Sequence, residues 1–573
     1  MPSQFFGLNI AYTGLLASNA AMNTTSNNIA NVQTEGYSRQ QVTQQASNAL
    51  RVFQTYGCAG AGVETLAIER VRDEFYDGRF WDNNAQLGEY DMKQYYMQQL
   101  ETYFDDDGKS TGFKTIFDQL MVTGMQALLK DPNSATAKSQ FVGYAGALTE
   151  YFNGMAGNLE KVQKDINQEI KLKVDEINSI AGEVATLNKQ INTIELTGVK
   201  ANELRDRRTL LIDELSKIVD VQVKETPIID ANNENRETGA NRYMVKIAGG
   251  QMLVDGSDYN GLECVARTSY EKVNQTDIDG LYEVYWADGQ KFNLYNASMG
   301  GDLAGLIQMR DGNNGENFTG QVTATGTTTT ADGKTHDTVT VKVTKAYLQD
   351  LNKCNLSDQG GILDLGNQEF YYDSWEYTCE YDANGNATYS YTFTLSDSEK
   401  NPRGITNDRV GKKAEIGTNL SYQGIPYYMN QMNEWIRTFS QKFNDILTSG
   451  YSGNGDPGVK MFTGNKATGG EQFLLDDAAK RYDKQEKKAS KMTVKVNDDS
   501  YYRLTAKNFD ILEAIEQDPG LMANRKDAAD GVEQNDLLND LKNLATDKTK
   551  MSFRGCNAVS YTHLRAHETA ANL

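Results

Sequence analysis

Apolar positions in the first 34 residues recur every seven. Leu8, Leu15, Met22 and Ile29 form one series, and Ala11, Ser18, Thr25 and Val32 follow three positions after each. This is an a/d heptad seam, mostly small at its second position, and it predicts a helix that another helix can approach closely. The remaining positions are largely Asn, Ser, Thr and Ala, and the first charged side chain of the chain is Glu35. A lone helix of this kind is marginal in water. It is expected to gain order by packing, and the missing charges suit dense packing of copies, in which like charges would be buried or repel. An ordinary amphipathic core helix would show the same seam. Gly36 is the expected stop.

A strand-like stretch precedes a second helical pattern from about Glu74 to Phe104, with Phe80, Leu87, Tyr90, Leu100 and Tyr103 among its apolar positions. Asp131-Pro132-Asn133-Ser134 reads as a turn and N-cap before a further helix. There Ile170, Ile177, Val184 and Ile191 make one heptad series. Leu159, Ile166, Ile180, Leu187 and Ile194 make the other, broken only at Lys173. Residues 159–194 would span about 54 Å as helix. One strand of an intramolecular bundle is preferred to an intermolecular zipper. Proline is absent between Pro2 and Pro132 and again up to Pro227, which permits long helices. The Asn202–Ser216 stretch reads as a helix with a Leu/Ile stripe and a charged face, expected to be solvated and paired at i,i+4.

From Val221 the period changes to two. Tyr243–Ile247 and Gln251–Gly256 flank Gly249-Gly250, a hairpin turn rather than a phosphate loop, since no nucleotide-loop spacing surrounds it. Alternating Thr338–Val341 and the runs Phe370–Tyr381 and Thr388–Leu395 around Asp382–Asn386 predict an inserted all-β domain, its aromatics packed in a core rather than forming a ligand face. Helix resumes near Tyr427 with Met432, Trp435, Ile436, Phe439, Phe443 and Leu447.

Composition narrows the function. The 573 residues hold 57 Lys plus Arg against 78 Asp plus Glu, a net charge of −21, which disfavours nucleic acid and anionic lipid as partners. A mean hydropathy of −0.60 fits long solvated helices. No apolar run reaches membrane-spanning length and no basic or apolar leader opens the chain. Cys58, Cys264, Cys354, Cys379 and Cys556 are widely spaced, without C-x-x-C, so neither a metal site nor a disulfide framework is expected. Outside the last fifteen residues His336 is the only histidine, and no H-E-x-x-H or G-x-S-x-G occurs. The chain therefore reads as non-enzymatic and without cofactors. A muramidase-type carboxylate pair has no motif behind it.

Ser18-Asn19-Ala20, Asn27 through Asn31 and Thr34 through Arg39 resemble the N-terminal signature of the flagellar axial family of rod, hook and hook-associated proteins. Gly60, Gly62, Val63, Ile68, Arg70, Asp73, Phe75, Asp77 and Arg79, and above all Asn202–Ser216, resemble the hook-associated branch; Gly300–Asp311, Leu504–Phe509 and Asp518-Pro519 match it too. The resemblance implies an inner tubular layer built from the N-terminal helix and a C-terminal helix. It also implies export to the extracellular flagellum through the flagellar type III route without signal cleavage. The implied partners are identical subunits in a ring, hook protein below, hook-associated protein 3 and indirectly flagellin above, and an export chaperone.

The expected assembly interface is Leu8, Leu15, Met22, Ile29, Asn27, Asn28, Asn31, Gly36 and Tyr37. The expected fold is α+β multidomain: an N-terminal coiled-coil helix and connecting segment (1–64), a long helical bundle (65–220), a β-rich domain (221–311), an inserted variable β-rich domain (312–424) and a helical return (425–558). Residues 559–573 read as a non-native tail, because Val559–Thr569 look like a translated sequencing adaptor; the N-terminal helix would then lack its own-chain partner. Two alternatives stay open: another axial component (hook, rod or flagellin-like), or an adhesin-like surface protein acting through the inserted β domain.

Overall fold

The computed structural model describes residues 5–551 apart from 52–57, 105, 107–110, 231–232, 331–332, 468–469, 476–489 and 548–550. The expected tail at 559–573 and Cys556 lie outside the described residues. The chain is α+β and forms two compact units. One comprises 1–92, 169–265 and 283–306; the other comprises 93–168, 266–282 and 307–573.

In the first unit the N-terminal helix runs Phe6–Ala30. It stops before the expected Gly36: Asn31 ends the helix, its N–H bonding back to the Asn27 carbonyl, and Gly36 takes up a positive φ of 74° in the turn that follows. That turn leads into an antiparallel hairpin of Gln40–Ala46 and Val63–Arg70. The hairpin sits close on the helix; a Cβ on Gly62 would stand 2.2 Å from the Thr13 hydroxyl. A four-stranded antiparallel sheet follows, in the order Val221–Asp230, Asn233–Ile247, Gln251–Asp255, Asp258–Tyr259. Its central turn has positive φ at Ala248, Gly249 and Gly250, which supplies the left-handed backbone such a turn needs.

The long helix spans Ala135–Glu195, and its residues from 169 on belong to this first unit. Ser134 starts it, its hydroxyl accepting from the Ala137 N–H at 3.3 Å. Both heptad series are buried except at Ile194. Lys173, the break in the pattern, reaches sideways to the buried Asp302 carboxylate at 3.0 Å while the neighbouring Val174 is buried. Asparagines on the helix pair with strand backbone as a second strand would. Asn178 donates to the Leu262 carbonyl at 2.8 Å and accepts from its N–H at 2.7 Å; Asn192 does the same to Asn241, at 2.9 Å each way.

In the second unit, six antiparallel strands close into a barrel. Around the ring they are Gly361–Leu365, Lys413–Ile416, Phe318–Thr329, Thr335–Val343, Ala387–Leu395 and Glu369–Tyr381, the last pairing back to the first. The interior is filled by Phe318, Val339, Val341, Tyr372, Trp375, Tyr391 and Phe393, so the aromatics of the inserted domain are core. The barrel takes a further strand, Ser490–Lys495, from well beyond the expected boundary at 424. Helix Ile425–Thr448 is buried nearly all round, with Trp435 among Phe113, Phe117, Phe152 and Phe439 at ring-centroid distances of 4.7–5.6 Å. After Thr448 the segment expected to be a helical return carries strands Phe462–Gly464 and Phe509–Ile511 and only the short helices Glu513–Gln517 and Asp536–Leu544. Cys354 and Cys379 are buried free thiols and Cys58 is exposed.

Candidate assembly surface and its charged support

The N-terminal helix presents two unlike faces. Ala17 and Thr24 are buried, and the hairpin is tied to that side: Gln44 donates to the Ala17 carbonyl at 2.8 Å and the Val63 N–H meets the Thr13 hydroxyl at 3.4 Å. On the other side every seam position, Leu8, Ala11, Leu15, Ser18, Met22, Thr25, Ile29 and Val32, is exposed. Leu8, Leu15, Met22 and Ile29 are 59–69% exposed. Ala17 and Thr24 therefore face the chain's own hairpin, and the large seam residues face outward with Ala11, Ser18 and Thr25 between them. Fully burying side chains of this size stabilises by about 1.5–3 kcal/mol each, so covering the four would contribute on the order of 4–8 kcal/mol.

The asparagine and tyrosine positions of the expected interface are turned inward instead. Asn28 donates to the Gln40 carbonyl at 2.8 Å and accepts from its N–H at 2.9 Å. The Tyr37 hydroxyl donates to Asn28 Oδ1 at 2.9 Å and accepts from Asn27 Nδ2 at 3.2 Å, and Asn31 bonds Asn27 Oδ1 at 2.9 Å. This network floors a groove of about 660 Å³ beside the helix, lined in part by Thr24, Ile29, Tyr37 and Val42. Gly36 lies against the helix Asn202–Ile218, where a Cβ would come within 3.2 Å of Leu210.

That helix is the support. Its charges, expected to be solvated, are largely engaged over long sequence distances. Arg205 binds Glu195 at 2.6 Å and Glu225 at 2.9 Å. Arg208 binds Glu225 at 3.0 Å and Asn188 at 2.8 Å, and lies 3.5 Å from the Tyr243 ring centroid. Asp206 takes Arg70 at 2.8 Å and the Ser38 N–H at 3.2 Å; Asp213 accepts from Trp81 at 2.7 Å. One helix thus ties the hairpin, the helix beginning at Glu74, the long helix and the four-stranded sheet. Burial alone would raise the Glu195 carboxyl, but the hydrogen bond and charge of Arg205 outweigh it and hold the group below its ordinary value. Burial pushes the Tyr243 phenol up to about 12 and raises the Asp213 carboxyl. A cleft of about 590 Å³ beside the network is lined by both signs of charge, and within its lining Arg72 pairs with Asp77 and both Arg205 and Arg208 pair with Glu225. The one sign of this in the sequence was density of charge; partners up to 168 residues apart leave no local spacing.

In the second unit, Arg310 is fully buried and donates to Asn167 at 3.0 Å, the Tyr282 carbonyl at 2.8 Å and Asp311 at 2.6 Å. Asp311 also holds Arg267 at 3.2 Å. Burial opposes its charge, yet Arg267 and Arg310 hold its carboxyl well below the usual carboxylate range. Among the described residues no group of three or more His, Cys, Asp or Glu is arranged to hold a metal ion, and no helix is long and apolar enough to cross a membrane.

Residues 97–331 match the family model described as the flagellar hook-associated protein FlgK helical domain. Over that stretch the chain is similar to a hook-associated helical domain. Residues 8–37, the N-terminal helix and the turn through Gly36 and Tyr37, match the flagella basal body rod protein model. Flagellar hook-associated protein 1 of Bacillus subtilis is 35% identical over 231 residues, which is 39% of this chain and 45% of that protein. The protein of the same name from Escherichia coli K12 is 30% identical over 264 residues, 45% of this chain and 44% of that protein. The match thus spans a little under half the length of these relatives. The solved hook junction protein FlgK of Burkholderia pseudomallei is 15% identical, with a TM-score of 0.42 over 86% of this chain and 96% of that one. Within the matched stretch lie the charged helix, the long helix from 135 onward and the four-stranded sheet. The match takes in the barrel strand Phe318–Thr329.

Proposed function

We propose that this chain is a structural, non-catalytic subunit of the bacterial flagellum at the hook–filament junction, where identical copies form a ring that adapts hook to filament. The observation that carries this reading is an uncharged helix whose seven seam positions from Leu8 to Ile29 all face outward while its opposite face is fixed to the chain's own hairpin. A helix fixed on one side and bare on the other supports a role as an assembly element, with Leu8, Leu15, Met22 and Ile29 as its contact residues and Asn27, Asn28, Asn31, Gly36 and Tyr37 setting its pose. By similarity to hook-associated protein 1, its neighbours are hook protein on one side and hook-associated protein 3, with flagellin beyond, on the other. A flagellar export chaperone escorts it, and it leaves the cell with its N-terminus intact.

The test is complementation of cells lacking hook-associated protein 1, scored by filaments attached to hooks, with the full-length gene and its Leu15→Asp variant compared. The expected result is attachment with the first and none with the second, at equal amounts of secreted protein whose N-terminal sequence starts at Met1 or Pro2. Equal attachment by both would overturn the role of the seam, and cleavage within the first helix would overturn the export route.

A further inference from the structure

Two strand edges line one cleft in the first unit. At the start of the strand Val221–Asp230 the Asp220 carbonyl accepts from the Ala248 N–H at 3.0 Å, while Tyr243 gives its carbonyl to the Gly256 N–H on the far side at 2.9 Å. Backbone direction alternates along an antiparallel pair. Val221, Val223 and Glu225, opposite Ile247, Val245 and Tyr243, therefore turn their N–H and carbonyl groups away from the sheet. Pro227, the next outward position, has no N–H to leave unpaired, as suits an edge. Among the described residues no strand pairs on that side. The strand Val63–Arg70 has an outer side of the same kind. Gln40, opposite Arg70, gives both backbone groups to Asn28, and the Ile68 carbonyl accepts from Asn202 Nδ2 at 2.9 Å. Asn202 stands in for a missing strand at Ile68; Arg70, the next outward position, has no such stand-in among the described residues. The cleft of about 590 Å³ is lined by Arg70 from one edge and by Val221, Val223 and Glu225 from the other. Unpaired edges are templates for a further strand, and adding one is a recurring way to bind an extended peptide.

Charge selects the segment. Every cation in the lining is already met: Arg70 by Asp206, Arg72 by Asp77 and Asp213, Lys200 and Arg205 by Glu195, Arg208 by Glu225. Of the lining carboxylates, Asp77 and Glu225 are used in this way. Glu69, Glu74 and Asp82 are exposed and enter no ion pair among the described residues. These carboxylates are left over at the cleft, on a chain of net charge −21, and they favour a Lys or Arg side chain over an Asp or Glu. Lys224 alternates onto the other face of its strand and does not line the cleft. Arg208, 2% exposed, has no hydrogen-bond partner at Nε, which leaves one more donor for a carbonyl.

We propose that this cleft takes an extended, Lys- or Arg-bearing segment of another chain. The segment pairs its backbone with Val223 and Glu225 and sets its basic side chains against Glu69, Glu74 and Asp82. The site does not use the N-terminal seam, so it stands or falls separately from the ring proposed above.

The test is titration of the full chain into a fluorescent peptide that alternates Lys and Val, read by anisotropy. Saturable binding is expected, and replacing every Lys of the peptide by Glu should weaken it about tenfold or more. Methylating the peptide's amide nitrogens keeps its charge, removes its strand pairing and should weaken binding by about tenfold. On the protein, Glu74→Lys combined with Asp82→Lys reverses charge at exposed positions and should do likewise. Val223→Pro deletes one outward N–H and spares the ladder to Asn233–Ile247; it should weaken binding with circular dichroism unchanged. If the Lys peptide does not saturate, or the Glu peptide binds as tightly, the site does not exist as proposed. If the methylated peptide binds as tightly as its parent, the attraction is charge alone and the strand edge is not the acceptor. If the charge-reversed chain binds as tightly, the peptide sits elsewhere. Each of these results overturns the proposal. Should Val223→Pro disturb the fold, the methylated peptide and the charge-reversed chain still decide it.

Discussion

Two helices of this chain carry heptad seams, and they meet opposite fates. In the long helix Ala135–Glu195 the seam is buried against the chain's own strands and the helix Asn202–Ile218. In the N-terminal helix Phe6–Ala30 the seam is bare and the small-residue face is docked. A repeat of seven says that something will cover the stripe but not what. The difference lies in the other positions. The long helix carries asparagines that satisfy strand backbone and charges that reach fixed partners, so its surroundings are specified by its own sequence. In the N-terminal helix Asn9, Asn19 and Asn23 are exposed, the amides tied into the chain stand near its end at Asn27, Asn28 and Asn31, and nothing along the seam demands a particular intrachain partner.

The sharpest way to break this contrast is to place the same charge in both seams. Ile177→Asp puts a carboxylate at a fully buried position of the long helix and should cost more than about 4 kcal/mol, seen as a large fall in the urea midpoint. A loss of under 1 kcal/mol would mean that this seam is open in solution. Arg205→Ala comes next. It leaves Glu195, whose side chain is 1% exposed, without its main partner and should cost about 3 kcal/mol. Restoring charge balance with Glu195→Gln should return part of the loss.

The acid response follows from the same groups. Glu195 and Asp311 titrate lower in the folded chain than when unfolded: burial opposes the charge, and Arg205 in one case and Arg267 with Arg310 in the other outweigh it. Depressed carboxyls contribute stability that is complete above the ordinary carboxylate range near pH 4 and is lost as pH falls below it. The unfolding midpoint should therefore drop steeply from about pH 4 downward, and Arg205→Ala should flatten that slope. Asn178→Ala should cost about 1–3 kcal/mol, because both backbone groups of Leu262 lose their partner. At the other extreme, Leu15→Asp should shift the stability of the isolated chain by no more than about 0.5 kcal/mol while abolishing its association. A large destabilisation there would show the N-terminal seam to be covered from within.

Elements with a strong local signature were legible in advance. The span Glu74–Phe104, the cap at Ser134 and the turns at Gly249-Gly250 and Asp382–Asn386 follow from periodicity and turn chemistry, and they stand where the residues put them. The exposure of the seam was not legible, since an amphipathic core helix has the same pattern. Nor was the helix end: Gly36 offers a left-handed stop, but Asn31 ends the helix earlier and Gly36 serves the close approach to Leu210. The charges of Asn202–Ser216 looked solvated because i,i+4 spacing is the only pairing a linear sequence displays. Their real partners, Arg70, Asn188, Glu195 and Glu225, are distant along the chain. The outer edge of the barrel was invisible for a similar reason, because Ser490–Lys495 is a short strand separated from the other six by a whole helix.

That late strand sets an order of events for a chain that emerges from its N-terminus. Glu369–Tyr381 pairs along its first residues with Gly361–Leu365, so the ring can shut once Ile416 is free. The stretch Glu376–Tyr381 waits for Lys491–Lys495, more than a hundred positions later. During that interval a row of unsatisfied amides and carbonyls is open to any passing strand. A chain threaded slowly through a narrow passage carries the risk for longest, so the interval between residues 381 and 495 is when a holding factor would do most to prevent mispairing.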